Sequence, residues 1–136
     1  LGVSYMFISH DISTVRAICD DVMVLYAGRR VEAGQRKLLD EPPHHPYTGL
    51  LMDSVPTLER GWLDAHRNVG SGALPPLSAD SGSSQLCGFR ARCSARVDGK
   101  CNAAPPPLSS LPTGAQILCH RSGDELQTLQ PVRSAA

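Results

Sequence analysis

The chain contains 136 residues, and its 13 basic and 13 acidic side chains give a formal net charge of zero. This length fits one domain of ordinary size. No run of Lys or Arg with interleaved aromatic residues occurs, which excludes a typical nucleic-acid-binding surface. The longest apolar runs, residues 3–8 and 22–27, are far shorter than the roughly 20 residues of a membrane-spanning helix. Any membrane association is therefore expected to go through a partner.

We expect no export signal at the beginning of this sequence. Its first residue is Leu1, and no basic region with a small-residue cleavage site follows. We therefore expect the sequence to begin within a longer protein. The five cysteines, an odd number without an export signal, fit the reduced thiols of a cytosolic protein better than a disulfide framework.

The first predicted elements are a strand and a helix. Residues 3–8 are mostly apolar without clean alternation, as in a parallel strand covered on both faces. Asp11 or Ser13 can cap the helix that follows. Its apolar residues recur at three- and four-residue steps: Ile12, Val15, Ile18 and Cys19. This stripe is expected to lie on the sheet, which makes Cys19 a small buried hydrophobic residue.

A hairpin and two short helices are predicted next. Residues 22–32 predict a buried strand, a turn and a short returning strand. A brief helix carrying Leu38 and Leu39 is then stopped by Pro42. Another helical turn is predicted to follow Pro46.

The first 39 residues resemble the final section of an ABC-type ATPase domain. The strings that carry the resemblance are Phe7–Asp11, Asp20–Val22 and Leu25–Glu32, with Gly34 after the last. The resemblance implies an α/β fold, namely the truncated C-terminal part of a P-loop ABC ATPase domain with parallel strands plus a hairpin. It further implies that His10 lies in the switch loop and contacts the γ-phosphate of ATP at a dimer interface.

A histidine at that position would act electrostatically. Phosphoryl transfer spreads negative charge over the γ-phosphate oxygens, so an imidazole donor beside them stabilises the transition state and helps to orient the attacking water. Taken without its context, His10 between Ser9 and Asp11 is typical of a surface or capping residue. The surrounding strings favour the catalytic interpretation.

A second signature narrows the resemblance. Residues 43–48 read Pro-His-His-Pro-Tyr-Thr, similar to the His-Pro-Tyr-Thr motif of the oligopeptide/dipeptide branch of ABC importers. We favour a structural role for this motif. Pro46 fixes φ at a helix start, Tyr47 and Thr48 supply local hydrogen bonds, and His45 is a neighbour without chemistry of its own.

Four cysteines lie in a segment with few large apolar residues. They are spaced C-x5-C-x7-C-x17-C at Cys87, Cys93, Cys101 and Cys119. Four thiolates form a complete metal ligand set, and a metal would replace the missing core. No gap is as short as in the usual zinc pairs, which favours a [4Fe-4S] cluster over Zn; the absence of any metal, or disulfides, is the third alternative. Basic residues that would offset the cluster charge flank the ligands: Arg90, Arg92, Arg96, Lys100 and Arg121.

The order of linker and cysteines is similar to the C-terminal extension of the same importer branch, so the resemblance reaches residue 120 or thereabouts. The sequence departs from the usual residues of that extension at Leu86, Gly88 and Ser94. These departures affect the predicted shape of the loop but not the cysteines. We predict that residues 1–40 are the C-terminal part of an ABC ATPase domain with the switch histidine and that residues 41–59 are the signature segment. Residues 60–85 are predicted to be a linker poor in large apolar residues, followed by an irregular four-cysteine module at 86–121. Residues 122–136 are predicted to be a disordered tail.

The function is expected to be that of a parent protein. The sequence contains no G-x-x-x-x-G-K phosphate loop, no Leu-Ser-Gly-Gly segment and no apolar strand ending in Asp-Glu, so this portion alone is expected to be inactive. The resemblance implies an ATP- and Mg-dependent peptide-importing ATPase at the cytoplasmic face of the plasma membrane. Its partners would be a second ATPase subunit, permease subunits and, indirectly, a peptide-binding protein. The alternatives are a stand-alone iron-sulfur- or zinc-binding module and a remnant without function.

Overall fold

A computed structural model describes residues 2–55 and 85–130, which form a small α/β unit built on a four-stranded antiparallel sheet. Its strands lie in the order β1 (Asp21–Tyr26), β2 (Arg29–Gln35), β4 (Gln116–Leu118) and β3 (Leu108–Ser110). Two short 3₁₀ helices cover Arg36–Leu39 and Arg90–Arg92. Over the described ranges, no helix has both the length and the apolar character to cross a bilayer. The described α-helices are α1 (Ile12–Ile18), α2 (Pro46–Asp53) and α3 (Gly123–Leu129).

The α/β class is confirmed, but the predicted parallel strand at residues 3–8 is wrong for this structure. These residues form no strand, and Tyr5 and Met6 are 89% and 90% exposed. A strand exists only where a neighbour completes its hydrogen-bond ladder, and within residues 2–55 and 85–130 no strand lies beside this segment. Every strand pair in the described sheet is antiparallel.

The helix α1 and its cap are as predicted. The Asp11 carboxylate accepts a hydrogen bond from the Ser13 N–H at 2.9 Å, which satisfies a free donor of the first turn. Ile12 and Val15 pack against the core, whereas Ile18 is 61% exposed. The apolar stripe is therefore only partly covered, and Cys19 at its end is half-buried rather than buried.

The predicted hairpin is confirmed with a longer second strand, but its first strand is not buried as predicted: Met23 and Leu25 of β1 are 58% and 51% exposed. Tyr26 pairs with Arg29 across a two-residue turn, in which Ala27 and Gly28 have φ of 48° and 75°. Positive φ at both positions is the geometry of a type I′ turn, whose twist matches that of the strands it joins. β2 continues to Gln35, three residues beyond the predicted end at residue 32.

The cysteine-containing part was predicted to be irregular, yet it adds two strands to the sheet. Glu32 of β2 pairs with Ile117 of β4, and Leu118 of β4 pairs with Leu108 of β3. The segment before β4 passes close to β2 at this point. A Cβ atom added to Gly34 would lie only 3.1 Å from the Cα atom of Ala115. The first and last parts of the described chain therefore share one sheet.

The core lies between the sheet and the helices. Leu38 and Leu39, from the short helix predicted at this position, are 1% and 4% exposed. They pack with buried residues from the far end of the chain: Leu111, Ala115, Ile117 and Leu126.

The predicted tail and linker have different outcomes. Residues 123–129 form α3 rather than a disordered tail, and Ser122 begins this helix with a capping box shared with Glu125. The reciprocal hydrogen bonds of that box and the burial of Leu126 explain why the segment folds. Nearly all of the predicted linker, and residues 131–136, lie outside the described residues.

Candidate functional site

His10 lies at the junction between the exposed segment 2–9 and α1. Its side chain is exposed, one residue before the cap of the helix. The backbone turns here because the Asp11 N–H donates to the Ser9 hydroxyl at 2.9 Å. The Thr14 hydroxyl and amide, which donate to the Asp11 carboxylate, lower the pKa of that carboxyl, and His10 adds a weaker effect in the same direction. The structure thus presents the imidazole outward from a fixed helix start.

The signature segment starts α2. Pro46 occupies the first turn of that helix, which agrees with the predicted structural role. His45 is the cap itself: its Nδ1 accepts a hydrogen bond from the Tyr47 N–H at 3.1 Å. The side chain is 1% exposed, and burial lowers the pKa of His45 to about 4, so the ring is neutral. His45 was predicted to have no chemistry of its own, but it holds the helix start.

A buried carboxyl group holds the same segment from below. Glu32 on β2 is 0% exposed, and its Oε2 accepts a hydrogen bond from the His45 N–H at 2.9 Å. Burial raises the pKa of Glu32 to about 7, while Thr48 and the His45 amide act in the opposite direction. Thr48 is close enough to influence the carboxyl group, but neither Thr48 Oγ1 nor Glu32 Oε1 is in hydrogen-bond geometry with a described partner.

A second anchor reaches the segment from the end of α3. The Gln130 amide accepts from the His44 N–H at 2.9 Å and donates to the His44 carbonyl at 3.1 Å. The same amide packs on Gly49, where a Cβ would lie 3.5 Å from it. His44 is 5% exposed, and burial lowers its pKa against a weaker opposing effect of Asp53. The backbone before α2 is therefore fixed from two sides.

An aromatic cluster joins the signature segment to the cysteines. The Phe89 ring lies 5.2 Å from Tyr26, 5.4 Å from Tyr47 and 6.2 Å from His45, measured between ring centroids. Tyr26 and Tyr47 contact each other edge-on at 4.8 Å. Phe89 is 2% exposed and lies in sequence between Cys87 and the next cysteine. The tyrosine of the motif is thus part of the surface on which the cysteine-containing loop packs.

Backbone turns bring amide groups to the predicted metal ligands. The Val97 N–H donates to Cys101 Sγ, and the Arg121 N–H donates to Cys119 Sγ, each at 3.4 Å. The Arg90 guanidinium donates to the Cys87 carbonyl at 3.1 Å. Amide-to-sulfur hydrogen bonds of this kind stabilise negative charge on sulfur.

The four predicted ligands share one neighbourhood. Burial, with smaller contributions from the three other cysteines of the set, raises the pKa of the Cys93 thiol to about 11, against the backbone hydrogen bond from Ala95. Burial raises the pKa of Cys87 and Cys119 too, with Cys101 among the groups that act on both. These thiols are protonated at neutral pH, and all five cysteines are free.

The cysteines are not arranged as a ligand set. Among the residues that the structure describes, no three or more His, Cys, Asp or Glu side chains are grouped so that they could hold a metal ion. The donor chemistry suits a thiophilic metal, but the positions of the sulfur atoms do not. The predicted cluster or zinc therefore stays a prediction, and the disulfide alternative is not seen in the structure.

Several residues of the site were not identified from the sequence. Glu32 belongs to the segment Leu25–Glu32 that carries the family resemblance, but a single Glu in a short strand is typical of a solvent-exposed position. Gln130 fell in the predicted tail, 86 residues from the backbone it holds. Of these residues, only Phe89 could have been identified from the sequence, because a large aromatic residue in a segment poor in apolar groups indicates a packing contact.

A family model matches about half of the chain. The family described as "Oligopeptide/dipeptide transporter, C-terminal region" matches residues 31–101, which is 71 of 136 residues. The matched stretch includes Glu32, the signature segment, Phe89 and three of the four clustered cysteines.

Curated relatives cover most of the chain. A putative peptide import ATP-binding protein of Brucella abortus (strain 2308) is 42% identical over 120 residues, which is 88% of this chain and 34% of the relative. The dipeptide transport ATP-binding protein DppF of Escherichia coli (strain K12) is 44% identical over 120 residues, 87% of this chain and 33% of that protein. The protein of the same name from Haemophilus influenzae is 39% identical, over 88% of this chain and 35% of its own length. The chain thus spans about a third of the length of these relatives.

Proposed function

Since this chain belongs to the oligopeptide/dipeptide transporter C-terminal region family, we propose that the protein carrying it is the ATP-hydrolysing subunit of an ABC importer of oligopeptides or dipeptides. The observation that carries the proposal is the match over residues 31–101, together with relatives whose names state peptide import and ATP binding. None of the relatives reported above is named as a metal-binding module, so the stand-alone alternative gains no support.

In the parent protein His10 is proposed to contact the γ-phosphate of ATP. Its exposed side chain beside a capped helix start suits a group that must meet a ligand from outside this unit. When bound, ATP with Mg²⁺ supplies the phosphoryl group and its charge. A fixed imidazole N–H would stabilise the negative charge that develops on the γ-phosphate oxygens and help to position water.

The exposed segment 3–8 is proposed to pair within the ATPase sheet of the parent. Three of its residues, Tyr5 at 89%, Met6 at 90% and Ile8 at 86%, are more exposed than any other large apolar side chain of the described residues. Burying such a run between neighbouring strands removes this apolar surface from water and satisfies the backbone groups. The permease subunits and a second ATPase subunit are proposed as partners, at the cytoplasmic face of the membrane.

A test of the proposal uses the complete protein with its permease subunits in lipid vesicles. We expect His10→Ala to lower the rate of peptide-dependent ATP hydrolysis by about 10²-fold, since one transition-state donor is lost. Gln127→Ala, at an exposed position of α3, is the matched control and should retain the wild-type rate. Equal rates in the His10 variant and the control would contradict the assignment of His10.

The four clustered cysteines are proposed to hold a [4Fe-4S] cluster, with Zn as the alternative. Support comes from their shared neighbourhood, the amide-to-sulfur hydrogen bonds and the charge of Arg90 beside Cys87. A bound metal would hold this loop together through its bonds to the sulfur atoms, as a hydrophobic core does in other segments. Binding requires that the thiols lose their protons and that the loop closes.

Anaerobic purification with assays for iron, acid-labile sulfide and zinc tests this assignment. We expect Cys101→Ser to release the metal, because it removes the most buried ligand of the set, whereas Cys19→Ser should leave the metal content unchanged. Stoichiometric zinc without sulfide would exclude the cluster, and wild-type protein without any metal would exclude both assignments.

A further inference from the structure

We propose that Glu32 is a proton-binding residue whose neutral carboxyl group locks the segment His45–Thr48 onto the hairpin, and that ionisation of this group loosens the segment. This inference goes beyond the proposed transport function. It assigns a role to a buried polar group that transport of peptides does not require.

The position of Glu32 isolates it from water and from counter-charge. In the sheet it lies between two apolar partners, Val24 on β1 and Ile117 on β4. From the signature segment it faces His45 and Thr48, both at most 1% exposed. The groups that shift its pKa besides burial are these two, and neither is charged at neutral pH. A buried carboxylate without a cationic partner is disfavoured relative to the neutral acid.

The carboxyl group is also short of hydrogen-bond donors for a buried charge. Glu32 Oε2 accepts from the His45 N–H at 2.9 Å, whereas Oε1 and the Thr48 Oγ1 have no partner in hydrogen-bond geometry. A carboxylate can only accept, but a carboxylic acid has one O–H to donate. A negative charge on Oε1, which is buried and accepts no hydrogen bond, would be poorly compensated, so burial favours the neutral acid despite the His45 amide and Thr48, which favour the charged form.

The titration of Glu32 falls in the neutral range. Burial raises its pKa from 4.5 to about 7. Because the folded-state pKa lies above the unfolded value, the stabilisation is fully present below pH 4.5 and is lost as pH rises to about 7. His45 acts in the opposite sense: its pKa is lowered from 6.5 to about 4, so its contribution is complete above 6.5 and is lost on acidification. Above pH 6.5, Glu32 is the one of this pair that still titrates.

The second anchor keeps the loosening local. Gln130 holds the backbone of His44 through two amide hydrogen bonds and has no titratable group of its own. When Glu32 ionises, the backbone before α2 remains tied at this point, and the change is confined to the contact between β2 and the start of α2. The expected response to alkalisation is therefore a local opening, not unfolding.

The test is performed on the complete protein, with Glu32→Gln as the main variant. Glutamine is nearly isosteric with the neutral acid, can accept from the His45 N–H and can donate to Thr48, but it does not titrate. In the infrared difference spectrum of wild type minus this variant, we expect the band of a protonated buried carboxyl group to disappear with a midpoint near pH 7. Glu41→Gln, at an exposed position, should leave the band in place.

Hydrogen exchange of the His45 amide gives the structural readout. Below pH 4.5 wild type and Glu32→Gln should exchange this amide at equal rates; at pH 8 wild type should exchange it faster, by about tenfold or more. Comparing the two proteins at one pH cancels the intrinsic pH dependence of exchange. Absence of the protonated carboxyl band at pH 5.5, or a rate ratio independent of pH, would overturn the proposal.

A second variant covers the case in which Glu32→Gln does not fold. Thr48→Val removes the hydroxyl group that favours the charged form of Glu32, so the midpoint of the carboxyl band should move to higher pH. An unchanged midpoint would contradict the assigned contact. Gln130→Ala provides the contrasting result, because it should speed exchange of the His44 amide by the same factor at both pH values.

Discussion

The hairpin with the signature segment, residues 21–53, and the cysteine loop, residues 87–104, lie in contact but are held in different ways. The first is fixed by a strand ladder, by buried leucines and by two polar anchors on one backbone segment. The second has only Phe89 and Cys101 buried, and its backbone follows short turns. One region is held by packing, whereas the other is held by one buried aromatic ring and by hydrogen bonds to its backbone, such as that from the Arg121 guanidinium to the Ala95 carbonyl.

This difference bears on the role of the signature motif. Its tyrosine lies in the aromatic cluster that receives Phe89, and its histidine caps α2 above Glu32. The motif therefore connects the two regions, while its proline sets the helix start. A structural role for the motif was predicted, but its position between Glu32 and the cysteine loop follows only from the fold.

Loss of Phe89 should give the largest effect. Phe89→Ala removes a ring that is 2% exposed between two tyrosines, and we expect it to lower the free energy of unfolding by about 4 kcal/mol. Amide exchange should rise throughout residues 87–104 and much less in β1 and β2. Urea unfolding and hydrogen exchange measure both effects, with Phe89→Leu as the milder control. A uniform rise in exchange over both regions would mean that they are not separable.

A smaller effect is expected at the end of the described chain. Ser122→Ala removes the hydroxyl that accepts from the Glu125 N–H, and it should lower the free energy of unfolding by about 1 kcal/mol. Because α3 carries Gln130 at its end, exchange of the His44 amide should increase as well. Ser122→Asp, which retains an acceptor at the cap, should restore most of the loss. If exchange of the His44 amide is unchanged in the Ser122→Ala variant, the contact of Gln130 with His44 does not depend on α3.

The parts of the fold that could be predicted are those specified by neighbouring residues in the sequence. The cap at Asp11, the hairpin turn after Tyr26 and the helix start at Pro46 act within a few residues, and the structure has all three, although the turn is one residue shorter than predicted. The pairing of Glu32 with Ile117 joins residues far apart in the chain, and no pattern in either short strand indicates it.

The candidate site shows the same limit. His10 and the four cysteines were found through motifs and spacing, and their chemical roles remain predictions. The buried Glu32 and the Gln130 anchor were missed, because an isolated polar residue in a strand or near a chain end carries no sign of burial. The predicted strand at residues 3–8 is not seen in this structure, because apolar character alone does not supply a neighbouring strand.

The most direct test of the central claim is uptake of a labelled dipeptide and a labelled oligopeptide by native cells that lack the gene encoding this sequence. We predict that uptake of at least one of the two falls to background and returns with a plasmid carrying the wild-type gene, but not with the His10→Ala gene at equal protein level. Undiminished uptake of both peptides in the deletion strain would contradict the assignment to peptide import.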